Sequence, residues 1–81
     1  MNNKMLSQFG NDWLKVKRLF EQNAKTNKNG AVPYTPVAFV LVEKKTGVPA
    51  NVVKSMVDYG LQIGYLKLGR SKEWFKFSTG G

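Results

Sequence analysis

The stretch Thr46-Gly47-Val48-Pro49-Ala50-Asn51-Val52-Val53-Lys54-Ser55-Met56-Val57, followed by Gly60-Leu61-Gln62-Ile63-Gly64-Tyr65-Leu66, decides how this chain folds. Residues 46–49 read as a sharp turn, because Gly47 takes up a left-handed backbone at low cost and Pro49 suits an early helix position. From Ala50 the residues Val53, Met56 and Val57, then Gly60, Leu61 and Ile63, follow helical spacing. Gly64 ends that helix. Beyond it the period changes to alternation. Residues 65–68 and 73–77 read as two strands, joined into a hairpin by Gly69-Arg70-Ser71-Lys72. Leu66 and Leu68 are expected to share the core face with Phe75 and Phe77, leaving Lys67, Trp74 and Lys76 on the other face.

Toward the N-terminus, Thr35-Pro36 signals a second helix start, a capping side chain followed by proline at the first helical position. This resolves the run Val37-Ala38-Phe39-Val40-Leu41-Val42, which is strand-like by propensity. Pro36 cannot donate to a sheet ladder, and Glu43-Lys44-Lys45 continue a helix, so residues 36–45 are expected to be helical. Ala31-Val32-Pro33 reads as a short extended piece. Another helix is expected over residues 11–24, where Trp13, Val16 and Phe20 recur at i, i+3 and i+7 with Leu19 beside them. Asn11 or Asp12 can cap it, and the turn formers at 26–30 stop it. Residues 1–10 are expected to be a flexible, frayed segment, residues 11–77 the one domain, and residues 78–81 a flexible tail.

The order helix, extended piece, helix, turn, helix, hairpin resembles the winged helix-turn-helix superfamily of DNA-binding domains. Thr46, Gly47 and Val48 stand at the Thr-Gly pair and apolar turn residue common in bacterial members. Val53 and Val57 stand at apolar recognition-helix positions, and Ile63, Gly64, Tyr65 and Leu66 where that helix leads into the wing. The resemblance covers about residues 35–77. Pro49 stands where a Ser or Thr cap is more usual, and the recognition helix lacks the arginines often found on a reading face. The resemblance implies an α+β fold, a winged helix of three helices with a two- or three-stranded wing, and double-stranded DNA as partner.

Charge points the same way. Thirteen Lys and Arg against five Asp and Glu give a formal +8 over 81 residues. Such an excess favours a polyanionic partner, nucleic acid first and an anionic membrane surface second. There is no cysteine and no histidine. That removes disulfides, thiolate metal sites, the usual general base and the commonest zinc ligand. A domain this small has little room for an enzyme pocket, which runs roughly 300–1,000 Å³. The longest apolar run, residues 37–42, falls far short of the ~20 residues of a spanning helix, and no secretory leader is visible. The expectation is a non-catalytic protein with no cofactor, metal, membrane or small-molecule substrate. It would be a small transcriptional regulator or architectural accessory in the cytoplasm or another intracellular DNA compartment.

A helix about 10 Å across fits a major groove ~12 Å wide. With Val53, Met56 and Val57 inward, the expected reading face is Ala50, Asn51, Lys54 and Ser55, with Asp58 at its edge. Asn51 can pair with adenine through two hydrogen bonds, Lys54 can reach guanine or a phosphate, and Ser55 can contact either. The wing tip, Gly69, Arg70, Ser71 and Lys72, is expected on the DNA backbone or in a minor groove, whose narrow form attracts arginine. The plainer alternative is a solvated turn whose charges deter edge-to-edge aggregation. Lys25, Lys28, Thr35, Lys44, Lys45, Lys67 and Lys76 are the expected phosphate contacts. Trp74 is expected to pack against the first helix, with stacking on unpaired bases as the alternative. Tyr34 and Tyr59 are candidates for exposed interface residues. Two other readings stay open: a protein-interaction module, since fold does not imply function, and an RNA or single-strand binder using Trp74, Lys67 and Lys76. A homodimer, or cooperative assembly on DNA, also stays open and would use the N-terminal segment or first helix.

Overall fold

The computed structural model describes residues 4–27 and 29–78. Within them lie four helices and a three-stranded antiparallel sheet: α1 (Lys4–Phe9), α2 (Asn11–Thr26), β1 (Val32–Pro33), α3 (Pro36–Thr46), α4 (Ala50–Gln62), β2 (Leu66–Leu68) and β3 (Trp74–Phe77). The strand order is β1-β3-β2, with Val32 opposite Phe75 on one side of β3 and Leu66 opposite Phe77 on the other. The α3–turn–α4 unit followed by the β2–β3 hairpin makes an α+β arrangement compatible with a winged-helix layout.

Local chemistry accounts for the α3–α4 unit. The Thr35 hydroxyl accepts the Ala38 N–H at 3.1 Å, and Pro36 occupies the first turn, where no N–H is needed. Gly47 ends α3 at φ 82°, a left-handed conformation that a β-carbon would strain. Its N–H returns to the Glu43 carbonyl at 2.7 Å, and the Thr46 hydroxyl receives the Val48 N–H at 3.2 Å. Pro49 precedes α4 and has no side-chain group to cap it. The cap comes instead from α3: the Glu43 carboxylate accepts the Ala50 N–H at 3.0 Å, placing a negative charge at the positive end of α4.

The core joins every element. Trp13, Val16 and Phe20 of α2 meet Phe39 and Val42 of α3, Val53, Met56 and Val57 of α4, and Val32, Leu66 and Phe75 of the sheet. Edge-to-face ring contacts run from Phe77 to Tyr65, Trp13, Phe20 and Phe75, at centroid separations of 5.1–6.3 Å. Gly60 is buried in α4 because Leu66 lies against it. A β-carbon there would come within 2.6 Å of Leu66 Cδ1.

Several expectations are corrected. The N-terminal segment is not frayed over residues 4–9: α1 packs on α2 and α4, Met5 is fully buried, and the Phe9 ring meets Tyr59 edge-on at 5.9 Å. The helices therefore number four among the described residues, not three. A six-residue helix has too little length for a legible period, and its stability comes from tertiary burial. Gly10, not Asn11 or Asp12, is the N-cap of α2. Leu68, at the end of the edge strand β2, is half exposed, whereas Leu66 is buried. Of the expected tail, Ser78 is held by its N–H on the Tyr65 carbonyl at 3.0 Å, and residues 79–81 lie outside the described residues.

Candidate nucleic-acid interface

Burial of Val53, Met56, Val57 and Gly60 turns the opposite side of α4 outward. Asn51, Lys54 and Ser55 are exposed there, and Ala50 is half-buried with its N–H occupied by Glu43. The Ser55 hydroxyl donates to the Asn51 carbonyl at 3.0 Å, leaving its oxygen free to accept. The Asn51 side chain projects one turn before it.

Lys54 is not a free cation on this face. Its Nζ donates to Asp58 Oδ2 at 2.8 Å, and the Tyr34 hydroxyl donates to the other oxygen of the same carboxylate. Burial pushes the Asp58 carboxyl up, but the hydrogen bonds from Lys54 and Tyr34 and the lysine's charge outweigh it, so the net shift is downward. Tyr34 is raised, first by its hydrogen bond to Asp58 and then by burial and the carboxylate's charge. Lys54 is raised by its hydrogen bond to Asp58 and that charge. The i, i+4 spacing of Lys54 and Asp58 signals their pairing in sequence. Nothing local signals Tyr34, which is 24 residues from Asp58. Neither expected interface tyrosine is freely exposed. Tyr34 is half-buried by Phe39, its ring centroid 5.2 Å away, and Tyr59 by Phe9.

The wing turn is ordered by backbone bonds. The Gly69 N–H reaches the Trp74 carbonyl at 2.8 Å, and Ser71 accepts the Glu73 N–H through its hydroxyl and the Trp74 N–H through its carbonyl, both at 3.3 Å. Arg70, Ser71 and Lys72 are exposed at this tip, with Gly69 half-buried beneath them. Lys67 and Lys76 stand directly opposite each other on β2 and β3, with Lys67 exposed and Lys76 half-buried. Trp74 does not pack into the core against a helix. It remains 38 % exposed on the outer face of the sheet, because the inner positions of β3 belong to Phe75 and Phe77. With Asn27, Asn29, Ala31, Arg70, Ser71 and Lys76, it lines an open concavity of about 220 Å³.

The other expected contacts are dispersed. Lys44 and Lys45 are exposed in the last turn of α3, where cations also favour the helix dipole. Lys25 is exposed near the end of α2. The Thr35 hydroxyl is committed to capping α3, and Lys28 lies outside the described residues. α3 also carries an apolar stripe that faces outward. Val37, Val40 and Leu41 are 72 %, 43 % and 52 % exposed and share one side of α3. The i, i+3, i+4 spacing marks such a stripe in sequence, but on a helix apolar all round it does not tell the outer stripe from the inner one.

Among the described residues no three His, Cys, Asp or Glu side chains gather as a metal-binding group, and no helix is long and apolar enough to cross a membrane. In comparisons with protein-family models, curated proteins and solved structures, none matches this chain.

Proposed function

We propose that this chain is a winged-helix domain that binds double-stranded DNA without catalysis, as a small regulator or an accessory of DNA architecture. The observation that carries the reading is the pairing of an outward polar face on α4, Asn51, Lys54 and Ser55, with a cationic wing turn, Arg70 and Lys72, on a chain of net charge +8. In this reading α4 enters the major groove, where Asn51 and Ser55 supply direct contacts to base edges. Lys54 is shared between Asp58 and the DNA. The wing contacts the backbone or a minor groove through Arg70 and Lys72, and Lys44, Lys45, Lys67 and Lys76 add to the cationic field.

The test is titration of a labelled duplex at several salt concentrations. Each neutralised phosphate contributes about −0.9 to the slope of log K against log salt. The double variant Arg70→Ala/Lys72→Ala should weaken binding to all duplexes and make the slope shallower by up to about two units. Asn51→Ala and Ser55→Ala should mainly reduce discrimination between sequences. A flat salt dependence in the native chain refutes the reading.

A second reading has its own support in the Val37, Val40 and Leu41 stripe. A row of exposed apolar side chains on one helix is a surface for a protein partner, so a winged-helix interaction module is the alternative. Replacing Val40 and Leu41 by serine leaves duplex affinity unchanged in the first reading and abolishes partner association in the second.

A further inference from the structure

We infer that the concavity between the α2–β1 loop and the wing receives an unpaired base of a DNA strand, so that the domain favours duplexes flanked by single strand over blunt ones. The inference rests on the proposed DNA-binding reading, because the wing that would lie along the duplex also supplies one wall of the concavity.

Five observations converge on it. Trp74 presents an exposed indole on the outer face of the sheet, where the fold has no core use for it. Aromatic side chains in such positions stack on any base, since every base has a π-face. Asn27 and Asn29 line the opposite rim. The Asn27 amide nitrogen is held on the Ala31 carbonyl at 2.6 Å, which orients its oxygen as an acceptor. Such amides match the donor and acceptor edges of bases. Arg70 and Lys76 line the same concavity and offer cations to the adjoining phosphates. The volume, about 220 Å³, lies below the usual range for small-molecule pockets and suits a single planar ring system.

The fifth observation separates a strand from a free nucleotide. Lys67 and Lys76 occupy directly opposed positions on adjacent strands, an arrangement of like charges that destabilises a sheet. Lys67 is not part of the concavity wall. It extends the positive surface beyond the concavity, where a free nucleotide has no atoms and a continuing strand has its next phosphate.

The experiment measures binding of four labelled ligands at one salt concentration: a blunt hairpin duplex, the same duplex with a few unpaired nucleotides, the same overhang with abasic sugars, and single-stranded oligo-dT. Each is titrated against the native chain, Trp74→Ala and Trp74→Leu, with circular dichroism establishing that the variants fold. The native chain should bind the base-bearing overhang about tenfold more tightly than the blunt duplex, a preference consistent with one stacked base. The abasic overhang should lose that preference. Both Trp74 variants should abolish it while binding the blunt duplex as the native chain does. Quenching of indole emission should accompany the overhang, since Trp13 is buried and Trp74 is not. Equal affinity for blunt and overhanging duplexes overturns the inference, as does a preference kept by the abasic overhang or by Trp74→Ala. Equal quenching by free dAMP at the same concentration also overturns it. Binding of the overhang and oligo-dT through Trp74 without binding of the blunt duplex would refute the proposed duplex function and uphold the concavity. Failure to bind any of the four refutes both.

Discussion

Replacing Gly60 by alanine tests the packing of α4 on the wing. In an exposed helix interior this substitution stabilises by about 0.5–1 kcal/mol, because alanine loses less conformational entropy. At position 60 the new methyl would lie 2.6 Å from Leu66 Cδ1 and 2.9 Å from its Cγ, well inside contact distance. Leu66 is 2 % exposed and packed within the core, so its end has no solvent to swing into. Overpacking of this kind costs about 1–3 kcal/mol. The difference is a net loss of about 1 kcal/mol, or a fall in melting temperature of roughly 5 °C for a domain of this size. The assay is a double-mutant cycle read by thermal and urea denaturation. Leu66→Ala alone should cost about 2–5 kcal/mol. In that background only the Leu66 β-carbon remains, 3.6 Å from the new methyl, an ordinary contact. Gly60→Ala should then become stabilising by its intrinsic preference, giving a coupling of about 1–3 kcal/mol between the two sites. If Gly60→Ala stabilises the native chain and the Leu66→Ala chain equally, helix and strand are not packed in this way.

The remaining predictions concern particular contacts. Met5→Ala should destabilise the domain by about 2–5 kcal/mol in urea denaturation, as for a buried core methionine, whereas a frayed segment gives almost no change. Glu43→Ala should cost about 0.5–1.5 kcal/mol through the lost cap on Ala50, with Glu43→Gln intermediate because it keeps an acceptor without the charge. The Tyr34–Asp58–Lys54 cluster predicts two pH limits. The lowered Asp58 pKa contributes stability above its ordinary value, about 3.8, that is lost as pH falls through the folded value; the raised Tyr34 and Lys54 contribute stability below about 10 that is lost as pH rises through theirs. Asp58→Asn should therefore differ most from the native chain between these limits, and a difference that does not vary with pH refutes the cluster. In the DNA-binding reading the same variant frees Lys54 and should tighten duplex binding, measured by anisotropy.

What the sequence determined by itself is the set of features governed by neighbouring residues. Thr35-Pro36 starts α3 because a hydroxyl reaches an N–H three positions on and proline's ring presets its own dihedral. Gly47 ends the helix because its backbone tolerates positive φ. The spacing of Val53, Met56 and Val57 selects the buried side of α4, and the alternation along residues 74–77 puts Phe75 inward and Trp74 outward once the strand is formed. The candidate reading face on Asn51 and Ser55 and the cationic wing tip follow from those same periods. Only the tertiary structure decided whether an outward or inward position is covered, and by what. Met5 is buried because α2 and α4 lie over α1, and Leu68, at the end of an edge strand, stays half exposed. Trp74 is left without a helix to pack on because α2 lies on the Phe75 side of the sheet, where Phe20 meets Phe75. Glu43 caps α4, and Tyr34 shares Asp58 with Lys54, because the turn and β1 bring distant segments together. A residue's period tells which way its side chain points relative to its own element. Its burial and partners depend on where the other elements sit, and that is set by the packing of the whole core at once.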